Sequence, residues 1–246
     1  MLKGQLIQFT LFHKREKMHS ISQYKNKDRI LVSVDCIIFG FDGENLNALF
    51  IKRDFEPEMG KWSLMGGFVK KEESVDDAAI RVLNQLTGLD NIYMEQIGCF
   101  GNTERDPGGR VISIAYFALI NMELYTEAIK KHNAVWFSLD KIPSLIFDHK
   151  KMVRQATDRL KQKVITHPIG FELLPTKFTL RQLQNLYEAI CGYELDKGNF
   201  TKKILSLNIL NKLDEKEKKS SRKGSFYFVF DEKGYKKLEK DGVKFI

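Results

Sequence analysis

The sequence has 246 residues and a formal net charge of +8, with 43% hydrophobic and 29% charged residues. This length predicts two domains of unequal size, and the composition is that of a globular protein. Because no apolar run approaches the ~20 residues that cross a bilayer, we expect no membrane span and a cytoplasmic location. The three cysteines lack a CxxC spacing, which argues against a disulfide framework or a zinc site. Cys36 and Cys99 lie in strand-like runs, and we expect both to be buried thiols.

Residues 1–28 are predicted to be an irregular N-terminal segment, because they are mostly polar and lack a periodic pattern. The apolar run 6–12 is short, and no small-residue cleavage site follows it, so we do not expect a signal peptide. Met18 lies just before the first well-formed element. Translation can therefore start at Met1 or at Met18, and the intact mass of the native protein would distinguish the two.

The next part of the chain predicts a β-sheet with one helix on each side. Strands are expected at residues 29–41, 48–52, 93–100, 111–120 and 134–139, and residues 62–65 lead from a loop into the glycine turn. The first two are separated by turn-forming residues and predict a hairpin. A helix is expected at residues 148–164, where apolar residues recur at helical spacing.

A glycine loop followed by a second helix is predicted within residues 66–89. Ser74 and Asp77 have the spacing of a capping box, and Gly88 stands where a left-handed C-terminal cap is expected. Between these caps the apolar residues follow a helical period. One face of this helix is therefore predicted to be buried.

This stretch resembles the Nudix box, starting at Gly67 and including Glu73, Arg81, Gly88 and Leu89. In that family, three glutamates on the helix bind a divalent metal against a diphosphate. The matching positions here are Val82, Gln85 and Leu86, none of which is a carboxylate. Since Mg²⁺ prefers oxygen ligands and commonly carboxylates, the resemblance implies a Nudix α/β/α sandwich over residues 29–167 with no metal, no cofactor and no catalytic residue.

Two alternatives remain at this point. The match to the box could be a chance feature of an amphipathic helix. The domain could instead be an active Nudix pyrophosphatase that takes metal ligands from elsewhere, such as Glu56, Glu72 or Glu73.

Residues 168–246 predict a second domain of the winged helix-turn-helix type, which makes the whole chain α+β. Thr179 and Gln182 form a second capping box, and Asn199 is expected to cap the following helix, whose Phe200 and Ile204 point inward. A charged loop at 214–224, a strand at 225–230 and a closing helix at 232–240 follow. The alternative is a helical appendage for dimerisation.

In a winged helix-turn-helix the second helix enters the major groove and the loop contacts the DNA backbone. Basic and hydroxyl side chains on the outward face of that helix and on the loop are therefore the candidate DNA-binding residues. They are Thr201, Lys202, Lys203, Ser206, Lys218, Lys219, Ser220, Ser221, Arg222 and Lys223.

The two halves together resemble the Nudix-related transcriptional regulators of the NrtR type. The resemblance rests on residues 178–210 and on residues 52–69, which lead into the box. It implies a homodimeric repressor that binds a double-stranded DNA operator and senses a small-molecule effector. Family members include sensors of ADP-ribose and sensors of arabinose.

The effector is expected to contact charged and aromatic residues around the box, and we favour a pentose such as L-arabinose, with ADP-ribose as the alternative. Arginines would bind phosphates directly, whereas carboxylates and aromatic rings would suit a sugar. The candidate effector-binding residues are Arg53, Glu56, Glu58, Trp62, Arg81, Glu104, Arg105, Asp106, Arg110 and Tyr116.

Overall fold

The structure is a computed structural model that describes residues 25, 27–88, 92–126, 129, 132–218 and 223–240. The chain divides into two compact units, Met1–Leu31 and Val32–Ile246. Most of the predicted N-terminal segment, with both possible start residues, lies outside the described residues. In the part of the chain that is described, no helix is long and apolar enough to cross a membrane.

Ten strands and five α-helices are formed by the described residues. In chain order they are β1 (Leu31–Phe41), β2 (Leu46–Lys52), β3 (Trp62–Ser63), β4 (Met65–Phe68), α1 (Val75–Thr87), β5 (Tyr93–Phe100), β6 (Val111–Leu119), β7 (Ala134–Ser138), α2 (His149–Thr166), β8 (Phe178–Thr179), α3 (Leu180–Cys191), α4 (Lys197–Ser206), β9 (Leu210–Glu217), β10 (Ser225–Phe230) and α5 (Glu232–Lys240).

The first seven strands form one sheet with the order β3-β2-β1-β6-β5, to which β4 and β7 are added along β1 and β2. Alternate residues of β1 point to opposite faces, as the pleat of a strand requires. Ile38 belongs to an apolar cluster with Ala79 of α1, and Phe39 belongs to a different cluster with Ala156 of α2. The sheet therefore has α1 on one face and α2 on the other, which confirms the predicted α/β/α sandwich.

The helix of the Nudix-like box has both predicted caps. Ser74 Oγ accepts a hydrogen bond from Asp77 N at 3.1 Å, and Asp77 Oδ2 accepts one from Ser74 N at 3.2 Å. Gly88 has a φ of 74° and donates its N–H to Asn84 O at 2.7 Å. These local bonds satisfy backbone groups that a helix end leaves unpaired, so the sequence spacing alone locates both ends.

The glycine pair before this helix lies in a strand, where the sequence predicted a loop. Gly66 pairs with Asp35 and Gly67 with Val34 in the antiparallel register of β4 on β1. A side chain at Gly66 would place its Cβ 2.4 Å from Asp35 Oδ1 and 2.8 Å from Val34 O. The close approach of β1 explains why residue 66 is a glycine.

The C-terminal elements form the predicted winged helix, with a second sheet in the order β8-β10-β9. Thr179 and Gln182 make the predicted capping box of α3, and Gly192 ends that helix with a φ of 82°. The cap of α4 differs from the prediction, because Asp196 Oδ1 accepts from Asn199 N at 2.7 Å. Asp196 starts the helix three residues earlier than the Asn199 cap would, so Asn199 lies inside its first turn.

The wing is also shorter than the predicted loop. Strand β9 extends to Glu217, because its residues pair with β10, as in Lys216 with Phe226 and Glu217 with Ser225. Residues 214–217 are therefore strand, and the connection between β9 and β10 is reduced to residues 218–224.

The two predicted domains share one apolar cluster inside the second compact unit. Leu160 of α2 and Leu186 of α3 both belong to it. Tyr187 is fully buried and its hydroxyl donates to Ile169 O at 3.0 Å. Phe171, between the domains, stacks on Phe230 at 4.1 Å. The exact domain limits, 28/29 and 167/168, remain predictions.

Of the two cysteines expected to be buried, only one is. Cys36 lies in the central strand β1 and is fully buried, which raises the pKa of its thiol. Cys99 is exposed, and that prediction is wrong. Its strand β5 is the last in the sheet order, and the apolar pattern of an edge strand does not guarantee cover on both faces.

Substitution Gly66→Ala is expected to destabilise the protein by about 1 to 3 kcal/mol, since inserting atoms into a packed region forces the backbone to shift. Gly98→Ala is the matched control, because a Cβ at that strand position meets nothing within 4 Å. Urea unfolding measures both. Equal midpoints for the two variants would contradict the packing account of Gly66.

Candidate effector cavity and nucleic-acid interface

A cavity of about 100 Å³ lies between β4, the loop after β2 and the start of α2. It is next to the Nudix-like box, because Gly66, Gly67 and Phe68 form part of its wall. The full lining is Ser33, Asp35, Ile51, Arg53, Asp54, Phe55, Ser63, Leu64, Gly66, Gly67, Phe68, Arg105, Asp106, Val111, Phe147 and His149.

The floor of the cavity is a buried network of charged groups. Asp35 Oδ2 accepts a hydrogen bond from Ser113 Oγ at 2.5 Å and lies 3.6 Å from Arg105 Nη2. Arg105 also donates two hydrogen bonds to Asp148, at 2.8 and 3.2 Å. One guanidinium thus joins the sheet to the residue that precedes α2. Such paired geometry is what makes buried charges tolerable.

His149, the first residue of α2, completes this floor as a neutral imidazole. Its Nδ1 accepts a hydrogen bond from Leu64 N at 3.1 Å, which assigns the ring proton to Nε2. That Nε2 lies 3.7 Å from Asp35 Oδ1. Burial lowers the pKa of His149 below its ordinary value, and this effect exceeds the opposing influence of Asp35.

Arg53 forms one wall of the cavity and presents a positive charge to it. Its guanidinium lies 3.7 Å from the ring centroid of Phe55 and 5.4 Å from that of Phe147. The Nε atom donates to Phe55 O at 3.1 Å. No ion pair between described residues includes Arg53. The charge is therefore held in place by aromatic rings without being neutralised.

Two phenylalanines on the cavity lining are unusually exposed. Phe55 is 51% and Phe68 is 50% accessible to solvent. Phe147, deeper in the lining, has a φ of 49°, a left-handed conformation that is uncommon for an aromatic residue and is often found at functional sites. The cavity thus combines exposed aromatic rings, one unpaired cation and an acidic, hydrogen-bonding floor. This combination suits a ligand with a planar group, an anionic group and hydroxyls.

Three of the predicted effector-binding residues, Arg53, Arg105 and Asp106, come together at this cavity. Tyr116 does not, because its side chain points to the opposite face of the sheet and donates to Asp76 Oδ1 at 2.5 Å. Trp62 packs edge-on against Phe137 at 5.0 Å, as part of the apolar cluster on the α2 side.

The other five predicted residues support nearby loops and are not on the lining. Arg81 donates to both carboxylate oxygens of Glu73, and these two bonds, with one from Lys70 N, lower the pKa of Glu73 to about 2. Arg81 also donates to Phe68 O. Arg110 donates to Gly101 O at 2.9 Å. The three remaining side chains lie in loops, where Glu58 pairs with Lys61 and the others are exposed: Glu56, Glu58 and Glu104.

The box positions that carry glutamates in Nudix hydrolases are occupied differently here. Val82 is buried in the apolar cluster between α1 and the sheet, and Gln85 is exposed. The side chain of Leu86 lies outside the described part of the chain. Among the described residues there is no group of three or more His, Cys, Asp or Glu side chains that could hold a metal ion.

The sequence analysis missed most of the cavity floor and the aromatic wall. Asp35 carried a usable signal, because a lone carboxylate inside an apolar strand must find partners when it is buried. Ser113, Asp148 and His149 carried none, since their relevance depends on where the sheet and α2 meet. Phe55, Phe68 and Phe147 resemble ordinary loop or core aromatics in the sequence.

The residues of α4 that are predicted to bind DNA lie on its outward side. Lys202, Lys203 and Ser206 are exposed, and Thr201 is half-buried at the edge of this face. Phe200 and Ile204 are buried on the opposite side. Of the wing residues, Lys218 and Lys223 are exposed. The remaining four, Lys219, Ser220, Ser221 and Arg222, lie outside the described residues.

Comparisons with known proteins agree with this arrangement. The family model of the NUDIX domain matches residues 29–156, and that of the NrtR DNA-binding winged helix domain matches residues 170–230. An ADPR responsive transcriptional repressor NtrR from Acinetobacter baylyi is 34% identical over 214 residues, which is 84% of this chain and 86% of that protein.

Two further relatives help to define the class. The crystal structure of Shewanella oneidensis NrtR complexed with a 27mer DNA is similar with a TM-score of 0.77 at 26% identity, covering 87% of this chain and 97% of that chain. An ADP-ribose pyrophosphatase from Methanocaldococcus jannaschii is 33% identical over 159 residues, 62% of this chain and 91% of that protein.

A Nudix domain joined to a winged helix domain defines a class of DNA-binding transcriptional regulators in which the Nudix part is the effector domain. This chain belongs to the NrtR family of that class.

The neutral state of His149 predicts a loss of stability in mild acid. In the unfolded chain histidine titrates near pKa 6.5, whereas the folded protein keeps His149 neutral to lower pH. The unfolded state thus binds the proton first, and the free energy of unfolding falls as the pH decreases below about 7, by at most about 1.4 kcal/mol per pH unit.

His149→Asn is expected to reduce this slope, because the asparagine cannot titrate but can still accept from Leu64 N. The control is His132→Asn, at an exposed position. Urea unfolding between pH 5.5 and 7.5 measures the difference, with these pH limits set at about one unit around the ordinary histidine pKa. An unchanged slope in His149→Asn would contradict the assignment.

Proposed function

We propose that this protein is a transcriptional repressor whose Nudix domain binds ADP-ribose and has no hydrolase activity, and that the ligand weakens operator binding. The observation that carries this proposal is that one cavity is lined by the Arg53 guanidinium, which has no ion pair with a described residue, and by the exposed rings of Phe55 and Phe68. ADP-ribose has a diphosphate for the cation and an adenine for an aromatic face.

A pentose is a weaker match to the charge of the same cavity. L-arabinose has hydroxyls for Asp35 and C–H groups that can pack on the phenylalanines, but it has no anion for Arg53. The comparisons also favour ADP-ribose over arabinose, the effector that was predicted from the sequence. One relative is named as ADPR responsive and another as an ADP-ribose pyrophosphatase.

The proposal that the domain does not hydrolyse its ligand rests on α1. In an active Nudix site the helix supplies carboxylates to a divalent metal, and here the chain has Val82, Gln85 and Leu86 at those positions. Glu73 remains, but its carboxylate is held by Arg81 through two hydrogen bonds. Binding without turnover is what a sensor requires, since hydrolysis would destroy the signal.

Helix α2 offers a physical route from the cavity to the winged helix. Its N-terminal end carries His149 and follows Asp148, both at the cavity floor. Further along, Leu160 and Val164 lie in the same apolar cluster as Leu183 of α3. A ligand that competes for Arg105 or Asp35 would disturb the attachment of α2, and α2 would pass the displacement to α3.

We also propose a cytoplasmic homodimer that binds a double-stranded operator. Two winged helices must match half-sites about one helical turn apart, or ~34 Å, so a small change in their separation would lower affinity. Sedimentation of the purified chain with and without operator DNA tests the oligomeric state.

Arg53→Ala is expected to weaken ADP-ribose binding by about 10- to 150-fold, the range for losing a charge-assisted hydrogen bond of about 1.5 to 3 kcal/mol. Arg154→Ala removes an exposed arginine of α2 that does not line the cavity and is the matched control. Calorimetric titration with ADP-ribose and, separately, with L-arabinose measures both variants. Equal affinities of wild type and Arg53→Ala would contradict the assignment of the cavity.

The same titration with Mg²⁺ present tests the absence of turnover. Products of ADP-ribose hydrolysis that disappear in Glu73→Gln would show an active pyrophosphatase and overturn that part of the proposal.

Charge reversal at Lys202 and Lys203 tests DNA binding through α4. Each phosphate contact contributes about 0.9 to the slope of log affinity against log salt, so Lys202→Glu/Lys203→Glu should lower the slope by about 2 and weaken binding at all sequences. Lys150→Glu, an exposed lysine of α2, is the control. Fluorescence anisotropy over a salt series provides the measurement, and an unchanged slope would remove the two lysines from the interface.

A further inference from the structure

The exposed face of α4 contains the side-chain amide of Asn199, which the sequence predicted as the helix cap. Asp196 caps the helix, so the side chain of Asn199 is not needed for that purpose. It is exposed, and no hydrogen bond joins it to another residue that the structure describes. Asn199, Lys202, Lys203 and Ser206 follow the i, i+3, i+4, i+7 spacing of one helix face.

Next to this amide, α4 contains a glycine that no contact within the protein requires. Gly198 is an exposed residue of the first helical turn, and glycine is among the poorest helix formers. A Cβ at this position would meet no atom closer than Asp196 Oδ1 at 3.4 Å, which is an ordinary contact. The folded protein has room for a side chain here, so an intramolecular clash does not explain the glycine.

The exposed amide and the glycine both fit a surface that approaches DNA closely and recognises its bases. Lysines on the same face can attract phosphates but carry little sequence information. An asparagine side chain has one acceptor and one donor group side by side, which match the N6 amino group and the N7 atom of adenine in the major groove. Glycine allows a close approach of the helix backbone.

We propose that Asn199 is the residue that reads an A·T base pair of the operator and that Gly198 provides the clearance that lets it do so. The Asn199 Oδ1 atom accepts from adenine N6, and Nδ2 donates to adenine N7. Lys202 and Lys203 position the helix on the flanking phosphates. This inference rests on the DNA-binding part of the proposed function and assigns sequence specificity within it.

The test starts from an operator that the full-length protein itself selects out of a randomised duplex library. A synthetic duplex of the selected sequence and a set of single base-pair variants then serve as probes in fluorescence anisotropy. Wild type should lose about 5- to 150-fold in affinity when one A·T pair is changed to G·C, which corresponds to about 1 to 3 kcal/mol. Asn199→Ala should bind the two duplexes equally and keep the wild-type salt slope.

Lys202→Ala is the matched control on the same face. It should lower the salt slope by about 0.9 and keep the preference at the A·T pair. If Asn199→Ala retains the wild-type preference at every base pair, the proposed role of Asn199 is wrong. If no sequence is enriched in the selection, the DNA-binding function itself fails, which separates the two conclusions.

Gly198→Ala gives a second, independent readout. The thermal midpoint of the free protein should rise by about 1 to 4 °C, because alanine is the better helix former and a residue of this size has room. Affinity for the selected duplex should fall at the same time. Opposite changes in stability and binding support the clearance role, whereas wild-type or tighter binding would refute it.

Discussion

The bridge made by Arg105 between Asp35 and Asp148 fixes the geometry on which the candidate effector cavity depends. It joins the central strand β1, the loop before β6 and the start of α2 at a single buried guanidinium. Removing one partner of such a buried ion pair typically costs about 3 to 5 kcal/mol, because the remaining charge is left without compensation. The network is therefore stable only when it is complete. A ligand that offers its own hydrogen-bonding groups to Asp35 or Arg105 would act directly on the attachment of α2.

This constraint links the two halves of the protein. Helix α2 begins at the cavity floor and shares its apolar cluster with α3, so the helix-turn-helix is packed on the element that the network holds. Coupling free energies between two sites are typically about 1 to 3 kcal/mol, which a partial rearrangement of a buried charge network can supply. Under the proposed function, the absence of carboxylates at Val82 and Gln85 means that the domain binds its ligand without the metal chemistry of a Nudix hydrolase.

The sequence predicted those parts of the fold that depend on local interactions. Both capping boxes, the left-handed cap at Gly88 and the two amphipathic helices of the sandwich are set by residues within a few positions of each other. Longer-range features were harder to predict. Helix α4 is capped by Asp196, because two polar residues near its start can accept the capping hydrogen bond and the sequence does not rank them. Cys99 is exposed because β5 is at the edge of the sheet, and the strand order cannot be deduced from the local sequence. Three of the ten candidate effector-binding residues line the cavity. Tyr116 was placed on the other face because the alternation of β6 has apolar residues on both sides, and the sequence does not show which face meets α2.

The most direct test of the account is the effect of ADP-ribose on the affinity of the full-length protein for its selected operator duplex. The account predicts that saturating ADP-ribose weakens binding by about 5- to 150-fold, the range of typical coupling energies. It also predicts that Arg53→Ala binds the duplex normally and does not respond to ADP-ribose at the concentration that saturates the wild type. Operator affinity that stays unchanged at saturating ADP-ribose, or that responds instead to L-arabinose, would contradict it.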